Sequence, residues 1–350
     1  MKTKADHLKK TRKKIVEQVK ESARTPRSKP LIPTLPTSIT PLDCALSGGV
    51  SIGQISNIVG DSSSGKTFLA SEFIAAAYRL LGNKLEWFYD DVENRYSFNT
   101  RDLYGIDIIK KDQINSHTIE DFTGNLKSKL SRLPEGKTLI YVLDCFDMLS
   151  SKAEMERDKD KEDKGTYNLE KVKNLGKFFR LRMKDIRDKK CILIIISQVR
   201  ENIGVTYGPK YYRTGGKALD HMASLIIWLA ETEKHRKKGR VYGITTKARI
   251  TKIGNDKPFR EAYMEILFDY GVDNIRTNIL YLYNLYTDLG KHKAKVESEL
   301  FQWDNNEFSL KGLIHHIESN NLEKELAQKV IDKWEKIEDS ISSAGRKKKW

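Results

Sequence analysis

The chain has 350 residues, 39% of them hydrophobic and 32% charged, enough to bury one large or two modest cores. No window approaches the roughly 18 consecutive apolar residues of a membrane-spanning helix, which excludes that class. The 63 Lys and Arg against 48 Asp and Glu leave a net charge of +15, which favours polyanionic partners, nucleic acid first among them. Cys44, Cys145 and Cys191 lack metal-type spacing, so no zinc site and a reducing interior are expected.

Residues 1–24 read as a basic helix (Lys9, Lys10, Arg12, Lys13, Lys14) with a thin apolar stripe at Leu8, Ile15 and Val19. Such an arm docks on a neighbour, touches nucleic acid or stays solvated. No secretory apolar core follows Met1. Pro26, Pro30, Pro33 and Pro36 make an extended linker, because proline removes a donor and biases its predecessor away from helix. This first unit ends at residue 36.

From Thr37 the pattern becomes short apolar runs separated by helical stretches, at 55–59, 85–89, 139–143, 191–196 and 225–230. Strands apolar on both faces that alternate with helices predict an α/β fold with a mainly parallel sheet covered on both sides. The more alternating runs at 249–253 and 262–268 predict an antiparallel extension. Two segments interrupt this unit, which spans 37–290. The stretch 152–164 is dense in mixed charge with no apolar face, and 201–216 carries four glycines, Pro209 and three tyrosines. Both are expected to be loops. Beyond Gly290, the pattern Leu310, Leu313, Ile314, Ile317 predicts a short helix. Leu322, Leu326, Val330, Trp334, Ile337 and Ile341 predict a longer one. Residues 291–350 therefore read as a small helical C-terminal domain with the basic tail Arg346-Lys347-Lys348-Lys349.

The segment Gly60-Asp61-Ser62-Ser63-Ser64-Gly65-Lys66-Thr67 lies between the run 55–59 and a helical stretch. It fits G-x-x-x-x-G-K-[ST] at every fixed position, in the required strand–helix context. The two glycines let backbone N–H groups and the positive end of the helix point at a polyphosphate. Lys66 adds a full charge at the β/γ-phosphates of ATP, and the Thr67 hydroxyl can ligate Mg2+. The run 139–143 ends at Asp144, where a P-loop ATPase carries its second magnesium partner. The run 85–89 ends at Asp90-Asp91-Val92-Glu93, and one of those carboxylates can serve as general base toward the attacking water. The residues alone do not choose among the three. The run 191–196 ends at Ser197-Gln198, where an amide can register the γ-phosphate. It leads straight into a basic, aromatic stretch with Arg200, Tyr207, Lys210, Tyr211, Tyr212 and Arg213, which is the chemistry of single-strand binding.

These residues resemble the RecA/UvsX DNA strand-exchange recombinases, from about Ile39 to Gly290 and more loosely beyond. The likeness rests on Pro41-Leu42-Asp43-Cys44-Ala45-Leu46-Ser47-Gly48-Gly49 ahead of the P-loop and on Asp91-Val92-Glu93 after the second strand. It continues through Gln198-Val199-Arg200, Ile203-Gly204-Val205, Thr214-Gly215-Gly216-Lys217-Ala218-Leu219, and Lys252 ahead of Pro258-Phe259. It implies a RecA-like ATPase core and an ATP-dependent recombinase with DNA-stimulated hydrolysis. Single- and double-stranded DNA are the implied partners, with self-association into a helical filament and loader and single-strand-binding proteins as helpers. The implied setting is cytoplasmic, in a bacterial or phage-infected cell. By the same resemblance Glu93 is the catalytic base and Gln198 the switch. Residues 201–214, with Arg213 among them, are the second DNA-binding loop, flanked by Arg200, Gly215 and Gly216, and Tyr207 sits where the family's aromatic meets a neighbouring subunit. The 152–164 run is the first DNA-binding loop, Lys173 and Arg180 face DNA, and Lys252 reaches the γ-phosphate held by the adjacent subunit.

The chain also departs from the pattern. Gly254 stands where bacterial members carry a second lysine, and Thr100 replaces a tyrosine that stacks on adenine, so that either Tyr96 or Phe98 substitutes or base contact is weaker. The first loop lacks the expected glycines, and a basic tail replaces an acidic one, as in a phage or otherwise distant member. Two other readings fit these residues less well. A hexameric helicase core is disfavoured by Lys252 and the Thr214–Leu219 motif. A non-enzymatic mediator is disfavoured by the retention of Lys66, Glu93, Asp144 and Gln198.

Overall fold

The computed structural model describes residues 32–110, 113–159, 167–201, 211–213, 216–254, 256–286, 296 and 299–341. The expected basic arm, the first part of the proline linker and the basic tail lie outside them. A small ribbon of β1 (Thr34–Leu35) with β2 (Val50–Ser51) brackets α1 (Thr40–Ala45).

The apolar runs become the parallel core of one sheet: β3 (Ile55–Gly60), β4 (Leu85–Asp91), β5 (Thr138–Asp144), β6 (Cys191–Glu201) and β8 (Leu225–Lys237). A short β7 (Tyr211–Arg213) pairs with β6. Strands β9 (Arg240–Ile253), β10 (Glu261–Leu267) and β11 (Gly271–Val272) then extend the sheet antiparallel, as the alternating runs predict. The order across the sheet is β4–β5–β6–β3–β8–β9–β10–β11.

Strand β6 shows why both faces are apolar. Ile192, Ile194 and Ile196 join one core cluster with Phe73 and Ile74, whereas Cys191, Leu193 and Ile195 join another with Phe122 and Phe179. Helix α2 (Lys66–Leu81) supplies the first face. After the short α3 (Thr100–Tyr104), helices α4 (Ile119–Arg132) and α6 (Tyr167–Asp188) supply the second. The two-residue side-chain period of a strand divides its residues between them.

Four expectations need correction. The 152–164 run is not simply a loop, because Lys152–Lys159 form α5. Ser151 and Glu154 make a capping box there, Glu154 N–H donating to Ser151 Oγ at 3.1 Å and Ser151 N–H to Glu154 Oε2 at 3.1 Å. That motif starts a helix without an apolar face; residues 160–164 lie outside the described set. The 201–216 segment is likewise not wholly loop, since β7 returns along β6 and α7 (Gly216–Met222) opens at its end. Strands β8 and β9 run well past the apolar stretches as a polar hairpin. Its two-residue turn has Lys238 and Gly239 at positive φ (49° and 79°), the geometry whose twist suits a hairpin.

The C-terminal segment, finally, is not only helical. After α8 (Asn274–Leu282), β12 (Phe301–Trp303) and β13 (Asn306–Phe308) form a hairpin turning at Asp304 and Asn305, both also at positive φ. The predicted helices follow as α9 (Leu310–Ser319) and α10 (Glu323–Ser340). Phe301, Trp303, Leu313, Ile317 and Leu326 pack with Ile279 and Leu280 of α8. Helix α10 also rests on the sheet unit, where Arg260 donates to both oxygens of Glu338 at 2.8 and 2.7 Å.

Candidate active site

Strand register brings the strand-end residues to the same end of the sheet. Gly60 on β3 stands opposite Gln198 on β6, and Asp91 on β4 stands opposite Asp144 on β5. The phosphate loop leaves the buried β3 at Gly60. There a Cβ would sit 2.4 Å from Ser64 Oγ and 2.7 Å from the Leu229 carbonyl oxygen, so only glycine fits. Gly65 has φ of +90°, and a Cβ there would meet Ile266 Cδ1 at 2.5 Å. The loop is braced by its own polar groups. Asp61 Oδ1 accepts from Ser62 N–H at 2.7 Å, Ser64 Oγ donates to the Asp61 carbonyl at 2.8 Å, and Thr246 Oγ1 donates to the Ser64 carbonyl at 3.1 Å. Ser63 completes the curl with φ of 62°.

Lys66 opens the 16-residue α2 and folds over the loop, Nζ donating to the Asp61 carbonyl at 2.6 Å. Burial lowers the pKa of its ammonium, with the Asp144 charge pulling the other way. Thr67 Oγ1 donates to Asp144 Oδ2 at 2.8 Å, and Tyr89 OH donates to the same oxygen at 2.6 Å. Burial raises the Asp144 carboxyl, and those two hydrogen bonds oppose it. Among the described residues no cluster of three or more His, Cys, Asp or Glu could hold a metal. The pair that fits a nucleotide-borne ion is Thr67 with Asp144.

The three candidate acids have different surroundings. Asp90 is fully buried and accepts from Ser116 N–H at 2.7 Å, from Ser116 Oγ at 2.6 Å and from Tyr141 OH. Asp91 Oδ2 accepts from Tyr96 N–H at 3.0 Å. Glu93 faces the tip of β6, its Oε1 accepting from Gln198 Nε2 at 2.7 Å and from the Cys145 thiol at 2.9 Å. Gln198 is held in turn through its backbone N–H, which donates to Asp147 Oδ2 at 2.7 Å. Burial raises the Cys145 thiol well above its ordinary range, and Glu93 adds to this.

Lys252 is not drawn to its own chain's phosphate loop. Its exposed Nζ donates to the carbonyls of Asp220 (2.6 Å) and His221 (3.3 Å) at the end of α7. Lys173 and Arg180 are both exposed on α6, and their seven-residue spacing puts them on one face. Arg200, Arg213 and Gly216 lie in β6, β7 and α7 respectively, while Tyr207 and Gly215 fall outside the described residues. Thr100, where the resemblance implies base stacking, is buried, its Oγ1 accepting from Ile108 N–H at 3.1 Å. Tyr96 OH is engaged with Ser71 Oγ at 2.6 Å, whereas Phe98 is 38% exposed and packs on Phe68 with ring centroids 4.6 Å apart.

Sequence reasoning passed over Tyr89, Cys145, Asp147 and Thr246. Cys145 and Asp147 carried a signal, since both lie within three residues of the singled-out Asp144. Nothing local marks Thr246, which arrives from a strand some 180 residues downstream.

A glycine-bounded loop between a buried parallel strand and a helix, with a hydroxyl–carboxylate contact to the tip of β5 two strands away, defines the P-loop α/β class of nucleotide-binding folds. Comparison with known proteins narrows the class. The RecA N-terminal domain family matches residues 9–273. Protein RecA of Gloeothece citriformis is 30% identical over 248 residues, covering 70% of this chain and 66% of that protein. Protein RecA of Rippkaea orientalis is 31% identical over 248 residues, 70% of this chain and 67% of its own. That of Trichodesmium erythraeum is 28% identical over 246 residues, 70% and 65%. The chain belongs to the RecA family, and its match spans about two thirds of these relatives' length.

Proposed function

We propose that the chain is an ATP-dependent homologous recombinase. In this reading it assembles as a helical filament on single-stranded DNA, pairs it with homologous duplex and exchanges strands, with DNA-stimulated hydrolysis of ATP to ADP and phosphate. The observation that carries the reading is strand β6. Gln198 on it touches Glu93 at 2.7 Å, and three residues on, at Glu201, the same strand enters the Gly/Tyr segment assigned to DNA. One continuous strand thus joins the hydrolytic site to the basic, aromatic stretch.

The loop suits a triphosphate because the cradle at Gly60 and Gly65 excludes a Cβ and Lys66 Nζ hangs over it. Thr67, backed by Asp144, would hold Mg2+, which supplies charge neutralisation at the β- and γ-oxygens. Glu93 Oε1 is occupied by two donors, so Oε2, 3.5 Å from exposed Arg95 Nη1, is the oxygen that accepts the proton of the attacking water. Gln198 senses the γ-phosphate by turning its Nε2 away from Glu93. Lys252, on a different face of the chain, completes the site of an adjacent subunit. Phe98 offers the open ring for the nucleotide base.

The partners are single- and double-stranded DNA, other copies of the chain, and loader and single-strand-binding proteins, in the cytoplasm. ATP hydrolysis with and without single-stranded DNA, paired with negative-stain microscopy, tests the reading. DNA-stimulated turnover with filaments supports it. Hexameric rings would favour a helicase, and filaments or complexes without turnover would favour a mediator.

A further inference from the structure

The turn that follows Asp144 holds both members of the hydrolytic pair. Cys145, with no exposed surface, directs Sγ to Glu93 Oε1 at 2.9 Å and lies 3.6 Å from Gln198 Nε2. Asp147, in the 3-10 turn Phe146–Met148, accepts the Gln198 backbone N–H at 2.7 Å. One tight turn therefore grips the side chain of the acid and the main chain of the amide. We infer that Cys145 is a positioning residue for Glu93 and Asp147 a positioning residue for Gln198; the inference rests on Glu93 acting as the base.

The geometry explains what each contact does. The N–H that Gln198 gives to Glu93 cannot be given to a phosphate oxygen at the same time. When Gln198 turns to its other partner, Glu93 Oε1 would lose its shorter donor, and the exposed Arg95, 3.5 Å from Oε2, would draw the carboxylate outward. The thiol prevents that, because it stays on Oε1 whichever way the amide points. A thiol is a weak donor, but in a buried position it competes with no water. Asp147 acts on the other half. By fixing the backbone of Gln198 it lets the side chain swing about a stationary Cα, so the switch need not carry the strand with it.

The test uses the full chain with single-stranded DNA and ATP, comparing Cys145→Ala, Cys145→Ser, Glu93→Gln and the double variant Glu93→Gln/Cys145→Ala. Cys145→Ala is expected to lower kcat about 3–10-fold, the range for losing one ordinary hydrogen bond, because a thiol is a weak donor even to a carboxylate, with KM for ATP within about twofold. Cys145→Ser should recover most of that loss, because a hydroxyl still donates. The double variant should hydrolyse no more slowly than Glu93→Gln, since the thiol acts only through the carboxylate. Wild-type kcat in Cys145→Ala, or equal losses in the Ala and Ser variants, would overturn the role of the thiol. Asp147→Asn should weaken the response to DNA more than basal turnover, and an unchanged stimulation ratio would overturn the second half. The infrared S–H stretch gives a readout free of catalysis. The band that disappears in Cys145→Ala should shift in Glu93→Gln, and an unmoved band would remove the contact itself. A band that shifts while Glu93→Gln hydrolyses at the wild-type rate would instead refute the base, and the positioning role with it.

Discussion

Asp90 and Glu93 stand three residues apart at one strand end, and exchanging each for its amide should have opposite consequences. Asp90 has no exposed surface, and its carboxylate is met by donors alone: Ser116 N–H, Ser116 Oγ and Tyr141 OH. Asp90→Asn puts an NH2 group where one oxygen accepted, so at least one donor pair collides or goes unmade. A hydrogen bond to a charged group is worth about 1.5–3 kcal/mol, and a buried orphan costs a similar amount, which gives a loss of about 2–4 kcal/mol. At about 2–4 °C per kcal/mol, Tm should fall by about 4–16 °C. Hydrolysis by the folded fraction, measured well below Tm, should stay within a few-fold of wild type. Glu93→Gln keeps the shape, and its amide oxygen still accepts from Gln198 or Cys145, so Tm should move by less than about 2 °C. Turnover should fall about 10²-fold or more because the base is gone, and assemblies on DNA should live longer. Thermal unfolding by fluorimetry beside a phosphate-release assay reads both quantities. If Asp90→Asn lost hydrolysis with Tm intact while Glu93→Gln turned over normally, the assignment of the base would be refuted.

Other perturbations test neighbouring parts of the account. Lys66→Ala should abolish ATP turnover and ATP-dependent tight DNA binding, both read by filter binding and phosphate release; near-normal hydrolysis would move the nucleotide site elsewhere. Lys252→Ala should keep folding and nucleotide binding yet lose DNA-stimulated turnover. Mixing it with Lys66→Ala should restore part of the activity, and mixed filaments without recovery would dismiss the shared site. DNA affinity should fall steeply with salt, with a log–log slope of about −0.7 per phosphate contact on single strands, and a flat profile would make the +15 charge a bystander. The Glu265 carboxyl predicts an acid limb of stability. Burial alone would raise its pKa, but His235 Nε2 at 2.8 Å and Arg276 Nε at 3.1 Å outweigh burial and hold it below the ordinary value. With the folded pKa depressed, this contribution is present above the unfolded value of about 4.3 and lost as pH falls through the folded one. Denaturation midpoints from pH 6 to pH 3 should therefore drop more steeply in wild type than in Glu265→Gln, and parallel curves would contradict this.

Local pattern carried most of the fold and part of the site. The P-loop is legible because its constraints lie within eight consecutive residues, and the parallel strands because burial on both faces removes all polar positions from 191–196. What stayed hidden depends on direction rather than composition. Asp90, Asp91 and Glu93 differ in the way their side chains leave the strand, which only Ser116, Tyr96 and Gln198 reveal. The polar half of the β8–β9 hairpin has no apolar stripe to announce it, and its length comes from a Lys238–Gly239 turn. The helix Lys152–Lys159 was readable after all, from the Ser151–Glu154 capping box, but its charge density masked that signal.

Strand exchange itself is the most direct test of the central claim. Incubate the chain with single-stranded DNA, ATP and Mg2+, then add a homologous duplex labelled with a fluorophore and quencher on opposite strands. The account predicts release of the displaced strand that requires both homology and ATP and that disappears with Lys66→Ala. Strand release that is indifferent to homology, or none despite DNA-stimulated hydrolysis and filaments, would contradict it.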